Sequence, residues 1–374
     1  MKGDIQSVFQ EFGDEFVREN RSKLTDRHLK AIDRIQNCGT PAAGFLGFSC
    51  SECGKSHLVE KSCGDRHCPS CQHGKTLKWV EKRLEEQLPT HHFLVTFTVP
   101  AELRPFMLRD PAKTYPILLA AASGALKRLT AEKKFLGVDL PGFFCALHTW
   151  GRTLSYHPHV HFVVPGGGVD GKEGVWKSTS RNFLAPGQAL SKVFKGLFSE
   201  LVRREELNHV VDPKAWSKDW VVDCQAVGQN GEGAIKYLAP YVFRTAISDS
   251  RIVSTANGKV TFTYAKPGSR RQRRMTLDAK EFIRRYLIHV LPKGLTRVRY
   301  YGFMGSGCSI THDKLLGMVR EAERLDAVES NPNSEKKEDK FLCPRCGGAL
   351  VFKAVLSPWG EVVSEPRPET VKRE

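Results

Sequence analysis

Cysteine spacing constrains this chain more than any other feature of it. Five of its 11 cysteines fall in one short stretch, as Cys50, Cys53, Cys63, Cys68 and Cys71. The opening residues, MKGDIQSVFQEFGDEFVREN, carry an early acid and no apolar core, so no secretory leader is expected and the chain reads as cytoplasmic. Disulfides are disfavoured in that compartment, and clustered cysteines there point to metal. Cys50-x2-Cys53 and Cys68-x2-Cys71, separated by fourteen residues, have the form of two knuckles. Four thiolates so held make a closed tetrahedral Zn2+ site with no position open to a substrate. Metal binding is then folding energy for a module too small to build a core. Cys63, His57 and His67 compete as ligands. At the far end, Cys343-x2-Cys346 followed by Gly347-Gly348 is half of a knuckle pair. A second zinc there would need distant ligands such as Cys308 or His312 and is not expected.

The charge balance points to a polyanionic partner. There are 57 Lys+Arg against 41 Asp+Glu, a net charge of +16. Neutralising phosphates releases condensed counterions, which favours basic proteins on nucleic acid. A hydrophobic fraction of 40% and a charged fraction of 26% describe a soluble globular protein. No apolar run approaches the length of a membrane span, so no membrane partner is expected.

Periodicity organises the rest. Apolar residues at helical spacing run from Gln6 to Arg34, and a basic helix is expected over Gly74–Gln87. His91–Pro100, Phe143–Trp150, His157–Pro165, Trp216–Val222 and Val260–Tyr264 read as strands. Tyr115–Leu129, Leu190–Leu207, Gly233–Ile247 and Leu277–Leu291 read as helices. Strands and helices mix without strict βαβ alternation, which favours an α+β core on an antiparallel sheet. The polar run Asp326–Lys340 reads as a linker. Three domains are expected: 1–88, helices and a four-cysteine zinc module; 89–305, the main domain; and 306–374, a helix, linker and CxxC tail.

His157-Pro158-His159-Val160-His161 is the most informative run. On a strand the three imidazoles point one way, and Val160, Phe162 and Val164 point into the core. His148 lies eleven residues before His159, near the end of the preceding strand, so a hairpin brings it alongside. His148, His159 and His161 are therefore the candidate ligands, with His157 in reserve. Such a site leaves metal positions open for Lewis-acid chemistry on a phosphoryl or carbonyl oxygen. Tyr237 and Tyr241 stand four apart, so one helical face carries both. A phenol of pKa about 10 needs help to act as a nucleophile. Lys236 and Arg244 are the nearby cations. Pro240 implies that the helix starts or kinks there.

Together these pieces resemble the two-tyrosine rolling-circle transposases of bacterial insertion sequences, the insertion sequence ninety-one type. The resemblance rests on CGDRHCPSCQ (Cys63–Gln72), LHTWGRTLSYHPHVHFVVPGGG (Leu147–Gly168), KYLAPYVFRTAIS (Lys236–Ser248) and FIRRYLIHVLPKGLTRVRYYG (Phe282–Gly302). It implies a nuclease of the histidine-hydrophobic-histidine (HUH) class, with a central antiparallel sheet flanked by helices. His159 and His161 match the paired histidines and His148 the third ligand. Tyr237 and Tyr241 match the two nucleophiles. The implied cofactors are catalytic Mg2+ or Mn2+ beside structural Zn2+. The implied partners are single-stranded DNA, element-end hairpins and target DNA, met in a bacterial nucleoid. Lys236, Arg244, Arg270, Arg271, Arg273 and Arg274 are the expected DNA-contacting cations. A replication initiator or relaxase, a zinc hydrolase, and a non-catalytic zinc-containing DNA-binding regulator are the alternatives.

Overall fold

Local signals in the sequence set where the first helices begin and end. In the computed structural model, which describes residues 3–228, 232–242, 246–266, 268–269, 271–325 and 341–365, α1 spans Ile5–Asn20 and α2 spans Asp26–Gln36. Asp4 and Thr25 cap them, each in a reciprocal box with the residue three positions on, Ser7 and His28. The expected single helical stretch is thus cut at Thr25. Strands β1 (Phe45–Cys50) and β2 (Ser56–Glu60) follow.

Next come α3 (His73–Glu85), β3 (His92–Thr98), α4 (Leu103–Arg109), α5 (Pro111–Ala131), β4 (Leu140–Trp150), β5 (Tyr156–Pro165), β6 (Gly167–Asp170) and β7 (Val175–Ser178). Then α6 (Gly187–Arg204), α7 (Lys214–Ser217), β8 (Val221–Ala226), α8 (Glu232–Val242), β9 (Ile252–Ala256), β10 (Lys259–Ala265) and β11 (Gln272–Asp278) lead to α9 (Ala279–Leu287), β12 (Val298–Gly302) and α10 (His312–Glu323). The tail adds β13 (Leu350–Leu356) and β14 (Val362–Ser364). The strand expected over Trp216–Val222 lies further on, as β8, because Lys214–Ser217 turns as a short helix.

The chain divides into two compact units. The smaller joins Asp4–Cys71 with Val328–Glu374, and the larger is Gln72–Ala327 with Met1–Gly3. In the smaller unit the buried faces of α1 (Ile5, Val8, Phe9, Phe16) and α2 (Ala31, Ile32, Ile35) form a small core. Beside them lies a sheet of order β14-β13-β1-β2.

The larger unit is mixed α/β on an antiparallel sheet of order β7-β6-β4-β5-β3-β8, with β12 also paired to β4. Alternation sorts its side chains. Phe93, Val95 and Phe97 of β3, Phe143, Cys145 and Leu147 of β4, and Val160, Phe162 and Val164 of β5 face one side. There they pack on α5 (Leu118, Ala122, Leu126) and α6 (Leu190, Phe194, Phe198). Phe144, Ala146 and Val163 face the other side and pack on Ala234, Ile235, Leu238 and Val242 of α8. A second antiparallel sheet, β11-β10-β9, carries α9, with Phe262 against Phe282 at 6.2 Å between ring centroids. No helix among the described residues is long and apolar enough to cross a membrane.

Candidate functional site

The β4–β5 hairpin assembles the three histidines. Its register sets His148 opposite His159 and Ala146 opposite His161. Residues of one parity share a face, so all three rings lie on the side covered by α8. Their ligand-capable nitrogens fall within 4.8 Å of one another. Ring centroids are 4.5 Å (His148–His161), 4.8 Å (His159–His161) and 5.2 Å (His148–His159) apart.

Neighbouring groups orient the rings. Nδ1 of His159 donates to the His157 carbonyl at 2.7 Å, and Nδ1 of His161 pairs with the Thr96 hydroxyl at 2.8 Å. With Nδ1 engaged in both rings, Nε2 is the nitrogen that would ligate. Such outer partners hold ring orientation and raise ligand basicity. Burial pushes His159 down to about 4 and holds His148 and His161 well below the usual imidazole range. The charge of Arg297 adds to the effect on His148. Arg297 lies over Trp150 at 5.4 Å, and Trp150 stacks on His148 at 5.0 Å. Neutral imidazoles close together at neutral pH are what a divalent cation requires of a histidine site. His157 stands aside, because its Nδ1 accepts from the Arg104 guanidinium at 2.8 Å.

Helix α8 runs without a break from Glu232 to Val242, through Pro240, so Tyr237 and Tyr241 lie on one helix instead of astride a start at Pro240. The side chains of both tyrosines lie outside the described part of the structure. Among the expected DNA-contacting cations, Lys236 is exposed and ion-paired with Glu232 of the preceding turn. Arg271, Arg273 and Arg274 are exposed, with Arg273 and Arg274 on β11 opposite Tyr264 and Thr263. Arg244 and Arg270 lie outside the described residues.

The cysteines require a correction. Cys50, Cys53, Cys68 and Cys71 do not gather around one point but divide between two clusters in the smaller unit. Cys38 and Cys63 join Cys68 and Cys71, with Sγ separations of 3.4 Å (Cys38–Cys71) and 3.5 Å (Cys63–Cys71). Backbone N–H groups of Gly64 and Asp65 point at Cys71 and Cys63. Cys50 and Cys53 join Cys343 and Cys346. The physical reason is sheet pairing, since β13 adds beside β1 and sets Leu350 opposite Cys50. Each cluster supplies four thiols, the donor set of a closed structural Zn2+ site. His67 instead pairs with Asp65 at 3.0 Å, and His312 pairs with the Glu86 carbonyl.

Sequence reasoning missed Thr96, Arg104 and Arg297. The one signal for Thr96 was polar alternation, Thr96 and Thr98, within an otherwise apolar strand. It missed Cys38 as well, which stands alone in the sequence with no knuckle partner.

Residues 142–310, which include the histidine hairpin and α8, match the family described as "Putative transposase". Residues 8–99 match "Transposase zinc-binding domain". The chain is 34% identical over 323 residues to "Putative transposase y4qJ" of Sinorhizobium fredii, spanning 81% of this chain and 80% of that protein. It is 27% identical over 370 residues to "Transposase for insertion sequence element IS801" of Pseudomonas savastanoi pv. phaseolicola, spanning 89% and 85%. No solved structure matches the chain.

Proposed function

The chain belongs to the IS91-type transposases, and from that premise we propose that it nicks and rejoins single-stranded DNA at the ends of an insertion sequence, through a 5′-phosphotyrosine. The observation that carries the reading is the cluster of His148, His159 and His161, three neutral imidazoles, two of them buried and His159 half-buried, on the sheet face that α8 covers. In this reading the larger unit holds an HUH-class nuclease, expected over 89–305, and the smaller unit, which joins Asp4–Cys71 with Val328–Glu374, is the zinc module.

The donor set fits a divalent ion. Three nitrogens converge, and two of the rings are held by Thr96 and the His157 carbonyl. Mg2+ or Mn2+ bound there would polarise the scissile phosphate. Tyr237 or Tyr241 supplies the nucleophile: its phenol oxygen bonds phosphorus, the bond from phosphorus to the 3′ oxygen breaks, and the proton ends on that oxygen. The free 3′-OH can reverse the step on a second junction, because the phosphoester link conserves bond energy. Two tyrosines four residues apart allow successive strand transfers. Arg271, Arg273 and Arg274, with Lys236, Arg244 and Arg270, hold the DNA backbone.

The test is a denaturing gel of purified protein incubated with labelled single-stranded element ends and Mg2+ or Mn2+. A covalent adduct that needs metal and is lost in Tyr237→Phe/Tyr241→Phe is expected. Cleavage without adduct, unchanged in the double variant, would mean hydrolysis by activated water and would end this mechanism. Tight binding without cleavage of confirmed ends would mean a non-catalytic DNA-binding protein.

A further inference from the structure

The match to a transposase zinc-binding domain ends at residue 99, so it takes in only half of the second cysteine cluster. We propose that Cys50, Cys53, Cys343 and Cys346 bind a second structural zinc, distinct from that of Cys38, Cys63, Cys68 and Cys71. The C-terminal tail thereby completes a metal site opened 290 residues earlier.

The geometry is that of a tetrathiolate. Cys50–Cys346 and Cys53–Cys343 Sγ separations are 3.5 and 3.9 Å. A Zn–S bond of about 2.3 Å implies tetrahedral edges of roughly 3.8 Å, whereas a disulfide needs about 2.05 Å. The two halves are built alike, as Cys50-Ser-Glu-Cys53-Gly54 and Cys343-Pro-Arg-Cys346-Gly347. Each glycine sits in the left-handed region, at φ 67° and 76°, which turns the chain back after the second cysteine. Matching backbone bonds close the two turns, from Gly54 N–H to the Cys50 carbonyl at 3.1 Å and from Gly347 N–H to the Cys343 carbonyl at 2.8 Å. The two halves are also joined directly, as Ser51 N–H donates to the Ala349 carbonyl at 2.9 Å.

The surroundings complete the site. His57 Nε2 lies 3.2 Å from the Cys343 sulfur, an outer-shell donor placed on β2. Cys50 and Cys343 are buried while Cys53 and Cys346 are exposed, so metal can enter from solvent. Four protein thiolates leave no position for substrate, so the ion is structural. It fastens β13, an inner strand of the smaller unit's sheet, and makes that unit depend on both ends of the chain.

Elemental analysis of the zinc-loaded full-length protein tests this without recourse to activity. In a His159→Ala/His161→Ala background, which removes two ligands of the histidine cluster, two zinc ions per chain are expected, and one when Cys343→Ser/Cys346→Ser is added. Grouping Cys50 and Cys53 with Cys68 and Cys71 predicts instead that the tail variant leaves the count unchanged. One zinc in that background, or an unchanged count in the tail variant, overturns the proposal. Should the serine variant fail to fold, Cys346→His retains a ligand and is expected to keep two zinc ions. Hydrogen exchange of β13 amides in the wild type should then accelerate on chelation. Protection of β13 that survives complete chelation also overturns it.

Discussion

Thr96 offers a sharp test of how the histidine cluster is held. Its hydroxyl lies 2.8 Å from Nδ1 of His161, on the neighbouring strand where the two residues are in register. Thr96→Val preserves shape and β-branching but removes this partner. His161 is only 7% exposed, so water does not simply replace it. Loss of an outer-shell partner lowers metal affinity by about 10- to 100-fold, or roughly 1.4 to 2.7 kcal/mol. Leaving a buried ring nitrogen unsatisfied costs folding stability on the order of 1–3 kcal/mol. Calorimetric titration with Mn2+, and the Mn2+ dependence of strand nicking, should both shift by the same factor. Thr98→Val is the control: Thr98 stands opposite His159, whose Nδ1 already donates to the His157 carbonyl. A Thr96→Val affinity within threefold of wild type, or an equal loss in Thr98→Val, would refute the reasoning.

Other outcomes follow from the same geometry. His289 is wholly buried between Thr149 (3.1 Å) and the Leu154 carbonyl (3.3 Å), and burial pushes it down to about 3. The folded state then binds fewer protons than the unfolded one below pH 6.5. Stability from this group is complete above 6.5 and falls by about 1.4 kcal/mol per pH unit toward 3. Urea unfolding at pH 7 and pH 5 should show a loss roughly 2 kcal/mol smaller in His289→Gln than in wild type; equal losses would count against it. Phe194 contacts Phe97 and Trp220 at 5.1 and 5.0 Å, and Phe194→Ala should cost about 3–5 kcal/mol in denaturant unfolding. Gly347→Ala meets no atom within 4 Å but must hold φ 76°, so it should weaken folding by about 1 kcal/mol through backbone strain alone. Chelation of zinc should abolish amide protection in α1, α2 and β1 while leaving β3, β4 and β5 protected, as exchange mass spectrometry can check.

The sequence by itself determined whatever rests on neighbours along the chain. Alternation in His157–His161 placed His159 and His161 on one face. A short hairpin brought His148 opposite, because loop length sets register when both strands are adjacent in sequence. The knuckles were legible as knuckles, since each holds its two ligands with its own turn. Tertiary structure alone decided which knuckles meet. A Cys-x2-Cys pair carries no record of its partner, and the pairing of β13 with β1 supplied one from the other end of the chain. The same holds for the supports of the histidines. Thr96 comes from β3, Arg104 donates to His157, and Arg297 backs Trp150 just before β12. Each is a contact between segments far apart in sequence, where burial and strand order choose the neighbour and local spacing leaves no mark.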